Sequence, residues 1–393
     1  MLHKNRLFTP GPTPLLPAAQ TAMAAFTAHH RTADFKALFQ RVLADMKEFI
    51  GTKNDVVVLA SSGTGVMEAS VSNLTSPGDR VLVLTAGKFG ERWTGLAKAF
   101  ACQVDVLEVP YGDTFSLDEV RSRVTPDTRA VFVQATESST GARHDIKNIA
   151  RIVNDRGNDT LLIVDAITGL GTTHFDVDGW GIDLVIGGSQ KALMMPPGLA
   201  YCAVSDRAWR RMDSTTSPRF YFDLRKERKS AAKGETAYTP ATSLFAALGA
   251  ALEFVRGMGD GDLAKGREEL VNNAELCAEM TRAGAKALGL KLYASAPAAA
   301  LTAIVPPDGL DSGKIVKEFR ESFDAVVANG QGEMKGKLFR IAHIGYYDYL
   351  DTVGILGALE HVLARVTGKE VEYGAAVRAA QEVYARSHEV VSV

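Results

Sequence analysis

Seven short apolar runs, the last ending at Val204, constrain the fold of this chain more than any other feature. Each has the length of a strand, and helical patterns or glycine turns separate most of them. Near-continuous apolar runs of this length are typical of parallel strands buried on both faces. They predict an α/β fold with a mainly parallel seven-stranded sheet between helices. The runs are Val56–Leu59, Val81–Leu84, Val104–Val109, Ala130–Val133, Leu161–Val164, Leu184–Ile186 and Leu199–Val204.

Changes of pattern divide the chain into three predicted parts. Residues 1–17 form an N-terminal arm, predicted to be extended because four prolines and a glycine lie between residues 9 and 17. Residues 18–258 form a large α/β domain, in which 213–240 lacks clear periodicity and is typical of a functional or interface loop. Residues 259–393 alternate helices and short strands and form a smaller C-terminal α+β domain.

The composition excludes several classes of function. Of 393 residues, 46% are hydrophobic and 23% are charged, which is typical of a globular protein. A formal net charge of −2 leaves no basic footprint for a nucleic-acid partner. Three distant cysteines without CxxC spacing argue against a disulfide framework or zinc site and favour a reducing, cytoplasmic location. With no signal-peptide core and no run of about 18 apolar residues, no membrane partner is expected.

Two polar residues follow buried runs and suggest a cofactor. Lys191 comes after Leu184–Ile186 on a glycine turn, and Asp165 directly follows Leu161–Val164. A lysine amine can form a Schiff base with pyridoxal phosphate (PLP), and a carboxylate can keep the pyridine nitrogen protonated. Apolar flanks indicate that Lys191 is buried, which is costly for a lysine that is neither neutral nor covalently bound. An isolated aspartate in a turn is common, so the interpretation rests on both residues.

Four further segments carry polar or aromatic groups. Three of them follow predicted strands, where ligands of α/β proteins gather, and the fourth lies inside a strand. Ser61–Gly65 opens a helix and suits a phosphate, although an ordinary capped helix explains it equally well. Glu137–Gly141 offers hydroxyls to a ligand or is a polar loop, and Phe89 stacks on a ring or packs in the core. Arg340, inside an apolar strand, needs a carboxylate partner from the protein or from a substrate.

Taken in order, these segments resemble the class V aminotransferases of fold-type I, and most closely the alanine/serine–glyoxylate aminotransferases. The similarity runs over nearly the whole chain, and it implies a fold-type I PLP transferase. The segments that carry it, besides those above, are Thr9–Thr13, His30–Phe35, Gly187–Leu193 and Pro196–Leu199.

The resemblance implies that PLP is the cofactor and assigns residues to it. Lys191 matches the lysine that binds the cofactor covalently and moves a proton between the cofactor and the α-carbon of the substrate. Asp165 matches the acid that pairs with the pyridine nitrogen. The other implied cofactor contacts within the subunit are Ser62, Gly63, Thr64, Phe89, Ser138 and Gln190.

The resemblance also implies a substrate side and a dimer. Arg340 matches the arginine that binds the substrate α-carboxylate. Gly11 and Ser138 are also expected to contact the substrate. Tyr238 and Thr239 resemble residues that reach the phosphate of the neighbouring subunit, in an alignment that is open by a residue or two. The expected assembly is therefore a homodimer with shared active sites.

The expected function is a ping-pong transamination from a small amino acid, alanine or serine, to a 2-oxo acid such as glyoxylate or pyruvate. An aminotransferase for another amine donor, such as 2-aminoethylphosphonate, would use the same cofactor residues. A cysteine desulfurase or other lyase of this fold needs a cysteine on a late mobile loop, but residues 329–336 contain none and Cys277 lies in a predicted helix. A non-catalytic subunit should have lost Lys191 or Asp165, and both are present.

Overall fold

The computed structural model describes residues 4–26, 28–156 and 159–389 of the chain. Its strands form a seven-stranded sheet, a five-stranded sheet and a two-stranded sheet within these residues. In chain order the strands are β1 (Arg6–Phe8), β2 (Asp55–Ser61), β3 (Arg80–Thr85), β4 (Gln103–Glu108), β5 (Thr128–Gln134), β6 (Thr136–Glu137), β7 (Ala142–Arg143), β8 (Leu161–Asp165), β9 (Leu184–Gly188), β10 (Gly198–Val204), β11 (Lys291–Leu292), β12 (Leu301–Val305), β13 (Ala325–Asn329) and β14 (Phe339–Ala342).

Helices alternate with these strands. Over the described residues, none is both long enough and apolar enough to cross a membrane. In chain order the helices are α1 (Pro17–Ala25), α2 (Ala33–Ile50), α3 (Gly63–Leu74), α4 (Lys88–Ala99), α5 (Leu117–Arg123), α6 (Ile146–Asp155), α7 (Asp206–Met212), α8 (Leu224–Ala231), α9 (Thr242–Met258), α10 (Leu263–Ala287), α11 (Ser312–Phe323), α12 (Tyr349–Thr367) and α13 (Ala375–Glu389).

The large sheet has the strand order β2-β10-β9-β8-β5-β3-β4. Strand β10 is antiparallel to both neighbours, β2 and β9, and the other adjacent pairs are parallel. All seven apolar runs lie in this sheet, so the predicted mainly parallel seven-stranded sheet is confirmed. The parallel strands place their carboxyl ends at one edge, where the polar residues that follow them come together.

Helices cover both faces of the large sheet. Successive side chains of a strand point to opposite faces, so each buried strand supplies apolar side chains to both cores. Leu82 and Leu84 of β3 join a core that includes residues of α2, α6 and α9, whereas Val81 and Val83 join a core with α3, α4 and α7. All four side chains are fully buried. Burying each such side chain contributes about 1.5–3 kcal/mol, which explains why near-continuous apolar runs specify this sheet.

The C-terminal part contains the five-stranded sheet, in the order β1-β13-β14-β12-β11. Its buried core includes Phe319 of α11 and Phe339 of β14, together with residues of α10, α12 and α13. The N-terminal arm contributes β1, which pairs in parallel with β13. The sequence analysis identified neither β1 nor β13. Helix α9 ends at Met258, and the domain boundary after this residue stays a prediction.

The segment 213–240, predicted as a loop, contains the helix α8. The side chain of Asp223 begins this helix by accepting hydrogen bonds from the backbone N–H groups of Arg225 and Lys226. The helix buries Leu224 and Glu227, and apart from Ala231 its other residues are polar. Because so few positions are apolar, the segment shows no hydrophobic periodicity, and the prediction of a loop was wrong over these eight residues.

Candidate active site

A cavity of about 270 Å³ lies where β2, β8 and β9 end and where the turn after β5 begins. The carboxyl-end edge of a parallel sheet is the usual place for a ligand in this architecture. The structure brings nine of the predicted site residues to this cavity. They are Gly11, Ser62, Gly63, Thr64, Phe89, Ser138, Asp165, Gln190 and Lys191.

Lys191 lies on the turn between β9 and β10 and is only 8% exposed. Its Nζ donates a hydrogen bond to the backbone carbonyl of Pro10. Burial lowers the pKa of Lys191 to about 8, an effect that the positive charge of Arg340 reinforces and the negative charge of Asp165 opposes. A substantial fraction of this amine is therefore neutral near pH 8, as a nucleophile or general base requires.

Asp165 ends β8 and is 5% exposed at the cavity. Its Oδ1 accepts a hydrogen bond of 2.9 Å from the backbone N–H of Ile167. Burial raises the pKa of Asp165 to about 6, although this hydrogen bond and the charges of Lys191 and Arg92 oppose the rise. At neutral pH the side chain is still mainly a carboxylate, which makes it suited to a cationic nitrogen in the cavity.

The N-terminal arm closes the cavity over the lysine. Gly11 has φ +146°, and a Cβ atom at this position would lie 2.5 Å from the Nζ of Lys191. The positive φ and the short distance to the lysine amine both favour glycine at this position. The buried Thr13 attaches the arm, because its hydroxyl donates to the backbone carbonyls of Gln190 and Lys191 at 3.2 Å each. Thr13 was not singled out in the sequence.

The start of α3 provides an anion-binding surface at the cavity. Ser62 occupies the N-cap position, but its side chain makes no capping hydrogen bond, so the reading of this segment as an ordinary capped helix is wrong. Gly63 and Thr64 form the first turn, whose backbone N–H groups have no acceptor within the helix and lie at the positive end of its dipole. Gln190 also lines the cavity, and the N–H groups of its side-chain amide can donate to an anion. These groups together suit a phosphate.

The first turn of α4 provides an aromatic and a cationic group. Phe89 is half-buried and lines the cavity, so its side chain is not part of the hydrophobic core. Three residues later, Arg92 lies on the same helical face, with its guanidinium 4.8 Å from the Phe89 ring centroid. Arg92 also donates a 3.0 Å hydrogen bond to Thr64 Oγ1. The sequence analysis missed Arg92, although its i+3 spacing from Phe89 was the signal that could have found it.

Arg340 is 3% exposed on β14 and donates to the backbone carbonyls of Ser138 at 2.6 Å and Asn329 at 2.5 Å. Its Nε has no hydrogen-bond partner in the described structure. Burial lowers the pKa of Arg340 to about 10, so it remains charged at neutral pH. No carboxylate forms an ion pair with Arg340 among the described residues. The Glu or Asp partner considered from the sequence is therefore wrong, and two backbone carbonyls accept hydrogen bonds from the guanidinium instead. Arg340 does not itself line the cavity but contacts Ser138, which does.

Tyr238 and Thr239 do not line the cavity of their own subunit. The Tyr238 hydroxyl donates to the backbone carbonyl of Phe220 at 2.9 Å, and its ring stacks on Tyr221 at 5.1 Å. Phe220 is 72% exposed and Tyr221 is 45% exposed. The role of Tyr238 and Thr239 at a neighbouring subunit stays a prediction.

The cysteines do not reach the cavity. Cys277 is buried in α10 and Cys202 in β10, and burial raises their thiol pKa values to about 11 and about 12. Both thiols are therefore protonated at neutral pH and are poor nucleophiles. In the described ranges, no cluster of three His, Cys, Asp or Glu side chains is arranged to hold a metal ion.

Comparison with known proteins identifies the family. The model of the family "Aminotransferase class-V" matches residues 9–285, which include the arm, the large sheet and the residues around the cavity. This chain belongs to the class V aminotransferases. The family predicted from the sequence segments is thereby confirmed, and the fold is that of the fold-type I aminotransferases.

Individual relatives of this aminotransferase carry different names. A protein named "Soluble hydrogenase, small subunit" from a Synechococcus species is 38% identical over 98% of this chain and 99% of that protein. A serine–glyoxylate aminotransferase from Methylorubrum extorquens is 30% identical over 96% of this chain and 95% of that protein. The crystal structure of a subgroup IV aspartate aminotransferase from Thermus thermophilus has a TM-score of 0.85 and 34% identity, covering 92% and 99% of the two chains. Two of these three proteins are named as aminotransferases, and their names give different amino donors.

Proposed function

We propose that this aminotransferase uses PLP to move the amino group of a small amino acid, alanine or serine, to a 2-oxo acid such as glyoxylate or pyruvate. One observation carries the proposal: a buried lysine and a buried aspartate, Lys191 and Asp165, line one cavity with the free start of α3. Membership of a PLP-dependent family supports the cofactor, and the similarity to a serine–glyoxylate aminotransferase supports the substrates.

The residues of the cavity fit PLP group by group. Lys191 supplies the amine for covalent attachment, and Asp165 supplies the negative charge for the pyridine nitrogen. Phe89 offers an aromatic face for the ring. The phosphate is assigned to the start of α3, where the Ser62 hydroxyl makes no capping bond and the side-chain amide of Gln190 can donate from the same cavity. When bound, PLP supplies an electron sink that stabilises negative charge at the substrate α-carbon.

Lys191 is the proposed general base and acid. Because burial lowers its pKa to about 8, Nζ can take a proton from the α-carbon of the donor and later deliver one to the α-carbon of the product amino acid. Asp165 is ionised above about pH 6 and holds the proton on the pyridine nitrogen. Since the same lysine serves both half-reactions in one cavity, the keto acid product leaves before the acceptor enters, and ping-pong kinetics are expected.

Arg340 is the proposed ligand of the substrate α-carboxylate. Its charge is buried without a carboxylate partner in the described structure, and it contacts the cavity residue Ser138 through the backbone carbonyl. Two carbonyl acceptors satisfy some of its N–H groups but do not neutralise the guanidinium. A substrate carboxylate would supply the missing negative charge. Gly11 and Ser138 are proposed to face the same part of the substrate.

A homodimer with shared active sites is part of the proposal. Phe220, Tyr221 and Tyr238 form an exposed aromatic cluster next to α8. Exposed aromatic side chains in one patch are typical of a protein–protein interface. Such an interface would bring Tyr238 and Thr239 toward the cavity of the second subunit.

A second candidate is an aminotransferase that takes aspartate as donor. Arg92 lines the cavity and carries a positive charge that a second substrate carboxylate could pair with. The similarity to the Thermus thermophilus aspartate aminotransferase also favours this donor. The Synechococcus relative is named as a subunit of a hydrogenase. The cavity lined by Lys191 and Asp165 argues against a non-catalytic subunit here.

A half-reaction screen tests these alternatives. The protein reconstituted with PLP is mixed with one amino acid at a time, and cofactor absorbance reports conversion to its amine form. We expect conversion by alanine or serine and recovery on adding glyoxylate or pyruvate. Conversion by aspartate alone would favour the second candidate. A protein whose absorbance does not respond to PLP or to any amino acid would contradict the proposal.

A further inference from the structure

A buried carboxylate that the proposed mechanism does not use lies behind the cavity. Glu137, at the end of β6, has no exposed surface. One carboxylate oxygen accepts from the backbone N–H groups of Phe89 at 3.0 Å and Gly90 at 3.1 Å. The other accepts from the backbone N–H of Ser139 at 3.1 Å and from its hydroxyl at 2.5 Å. Four donors therefore fix this carboxylate in one orientation.

These contacts make Glu137 the cap of α4. The residue at the N-cap position, Gly87, has no side chain, and the capping acceptor comes from a residue 48 positions after Phe89. A carboxylate at this place satisfies free N–H groups and interacts favourably with the positive end of the helix dipole. The packing is close, because a Cβ atom on Gly87 would lie 2.5 Å from the Cγ of Glu137. Glycine at position 87 therefore leaves the room that the cap needs.

The same carboxylate connects three parts of the proposed site. The helix that it caps carries Phe89 and Arg92 to the cavity. The residue after it is Ser138, which lines the cavity and accepts a hydrogen bond from Arg340. Its negative charge also acts on Arg340, whose pKa it raises against the lowering effect of burial.

We infer that Glu137 is a positioning residue for the proposed transamination. It holds Phe89 at the cofactor ring through the start of α4, and it holds Ser138 and the charge of Arg340 at the substrate side. It contacts neither the cofactor nor the substrate itself. This inference rests on the proposed function, because the aromatic face and the arginine matter only if PLP and an amino acid bind here.

The alternative is that Glu137 only stabilises the fold, and the chain contains a matched control for that role. Glu360 is 3% exposed on α12 and accepts from the backbone N–H groups of Gly374 and Ala376 at 2.7 and 2.8 Å. It caps the start of α13 as Glu137 caps the start of α4. It does not line the cavity. Glu360→Gln therefore removes a buried carboxylate cap without touching the proposed site.

The experiment compares wild type, Glu137→Gln and Glu360→Gln in melting temperature, in Kd for PLP, and in kcat and KM of the donor half-reaction. In either glutamine variant, an amide N–H replaces a charged acceptor and meets backbone N–H donors, so both should lower the melting temperature. We expect only Glu137→Gln to raise the Kd for PLP, by about tenfold, because α4 without its cap no longer holds Phe89 firmly at the cofactor ring. It should also raise the donor KM through Arg340. Equal Kd and KM values in the two variants would overturn the inference.

Two further variants keep the test decisive if Glu137→Gln folds poorly. Ser139→Ala removes one of the four donors but leaves the charge, and it should weaken PLP binding by a smaller factor than Glu137→Gln. If Glu137 acts through Phe89, the losses of PLP affinity in Glu137→Gln and Phe89→Ala should not be additive in the double variant. Additive losses together with an unchanged Kd in Ser139→Ala would contradict the inference.

A wild type that binds PLP but transfers no amino group would refute the proposed function while leaving the comparison of PLP affinities valid.

Discussion

At the scale of single residues, the chemistry proposed here depends on two buried charges whose pKa values have moved toward neutrality. Burial lowers the pKa of Lys191 to about 8 and raises that of Asp165 to about 6. Between these values the lysine can exchange a proton while the aspartate remains ionised. Pairs of titratable groups shifted by their surroundings are frequent in active sites, and here both shifts have burial as their largest cause.

The lowered pKa of Lys191 predicts how PLP attachment depends on pH. Only the neutral amine attacks an aldehyde, so the rate of covalent attachment to the cofactor-free protein should rise with pH and level off above about 8. An unperturbed lysine, with a pKa of 10.5, would give a midpoint more than two pH units higher. Stopped-flow absorbance after mixing the protein with PLP measures this rate. A midpoint near 10.5 would contradict the burial of the amine.

Residue types near strand ends could be predicted from the sequence, but their tertiary contacts could not. Apolar flanks indicated that Lys191 is buried, and the run before Asp165 placed it at the end of a strand. Nothing local indicated that Thr13 bonds to the lysine turn or that Glu137 caps the helix of Phe89. These pairs are separated by 178 and 48 positions, and only the packed fold brings them together.

At the scale of elements, the site depends on how the N-terminal arm lies over the turn between β9 and β10. Gly11 approaches Lys191 more closely than any residue with a side chain could. The arm is fixed there by Thr13 and by β1, which pairs with β13. Proline content predicted the extended shape of the arm, but three residues of strand are too few to give a sequence pattern for β1.

Substitution of Gly11 tests this arrangement. Gly11→Ala should strain the backbone and push a methyl group against the lysine amine, so PLP attachment should slow by about tenfold or more while the protein still folds. Gly78→Ala is the matched control, because Gly78 also has positive φ, +87°, but has open space around its Cβ position. Both variants should lose about 1–2 kcal/mol of unfolding free energy, measured in urea. Equal attachment rates in wild type and Gly11→Ala would show that the arm does not constrain Lys191.

Most strands of the large sheet were predictable because they are buried on both faces and are apolar over most of their length, whereas the edge strand β4 is mainly half-buried or exposed. The helix α8 was not, since it buries only Leu224 and Glu227 and most of its remaining positions are polar. Strand β13 was missed as well, although the strand after it, which contains Arg340, was predicted. Elements that the core specifies strongly are visible in a sequence, and short or polar elements are specified by their neighbours.

At the scale of the whole molecule, the proposal includes a homodimer with shared active sites. Tyr238 and Thr239 do not line the cavity of their own subunit, whereas Phe220 and Tyr221 beside them are exposed. Burial of this cluster in an interface would explain the exposed rings and would supply further groups at the phosphate of the neighbouring subunit. Sequence similarity suggested the dimer, but no pattern in the chain specifies which surface forms it.

A substitution in the exposed cluster tests the dimer. Phe220→Ser removes a side chain that is 72% exposed in one subunit, so it should leave the fold intact and raise the dissociation constant of the dimer by at least tenfold. Analytical ultracentrifugation over a dilution series measures this constant. Tyr373→Ser, at a position 57% exposed after α12, is the control and should have no effect. A wild type that sediments as a monomer at all concentrations would refute the shared active site.

The most direct test of the central claim is to locate the bond between the protein and PLP. The reconstituted protein is reduced with borohydride, digested and analysed by mass spectrometry, with Lys191→Ala treated in parallel. We predict a pyridoxyl adduct on the peptide that contains Lys191, and neither adduct nor amino transfer in Lys191→Ala. An adduct on a different lysine, or full turnover by Lys191→Ala, would contradict the account.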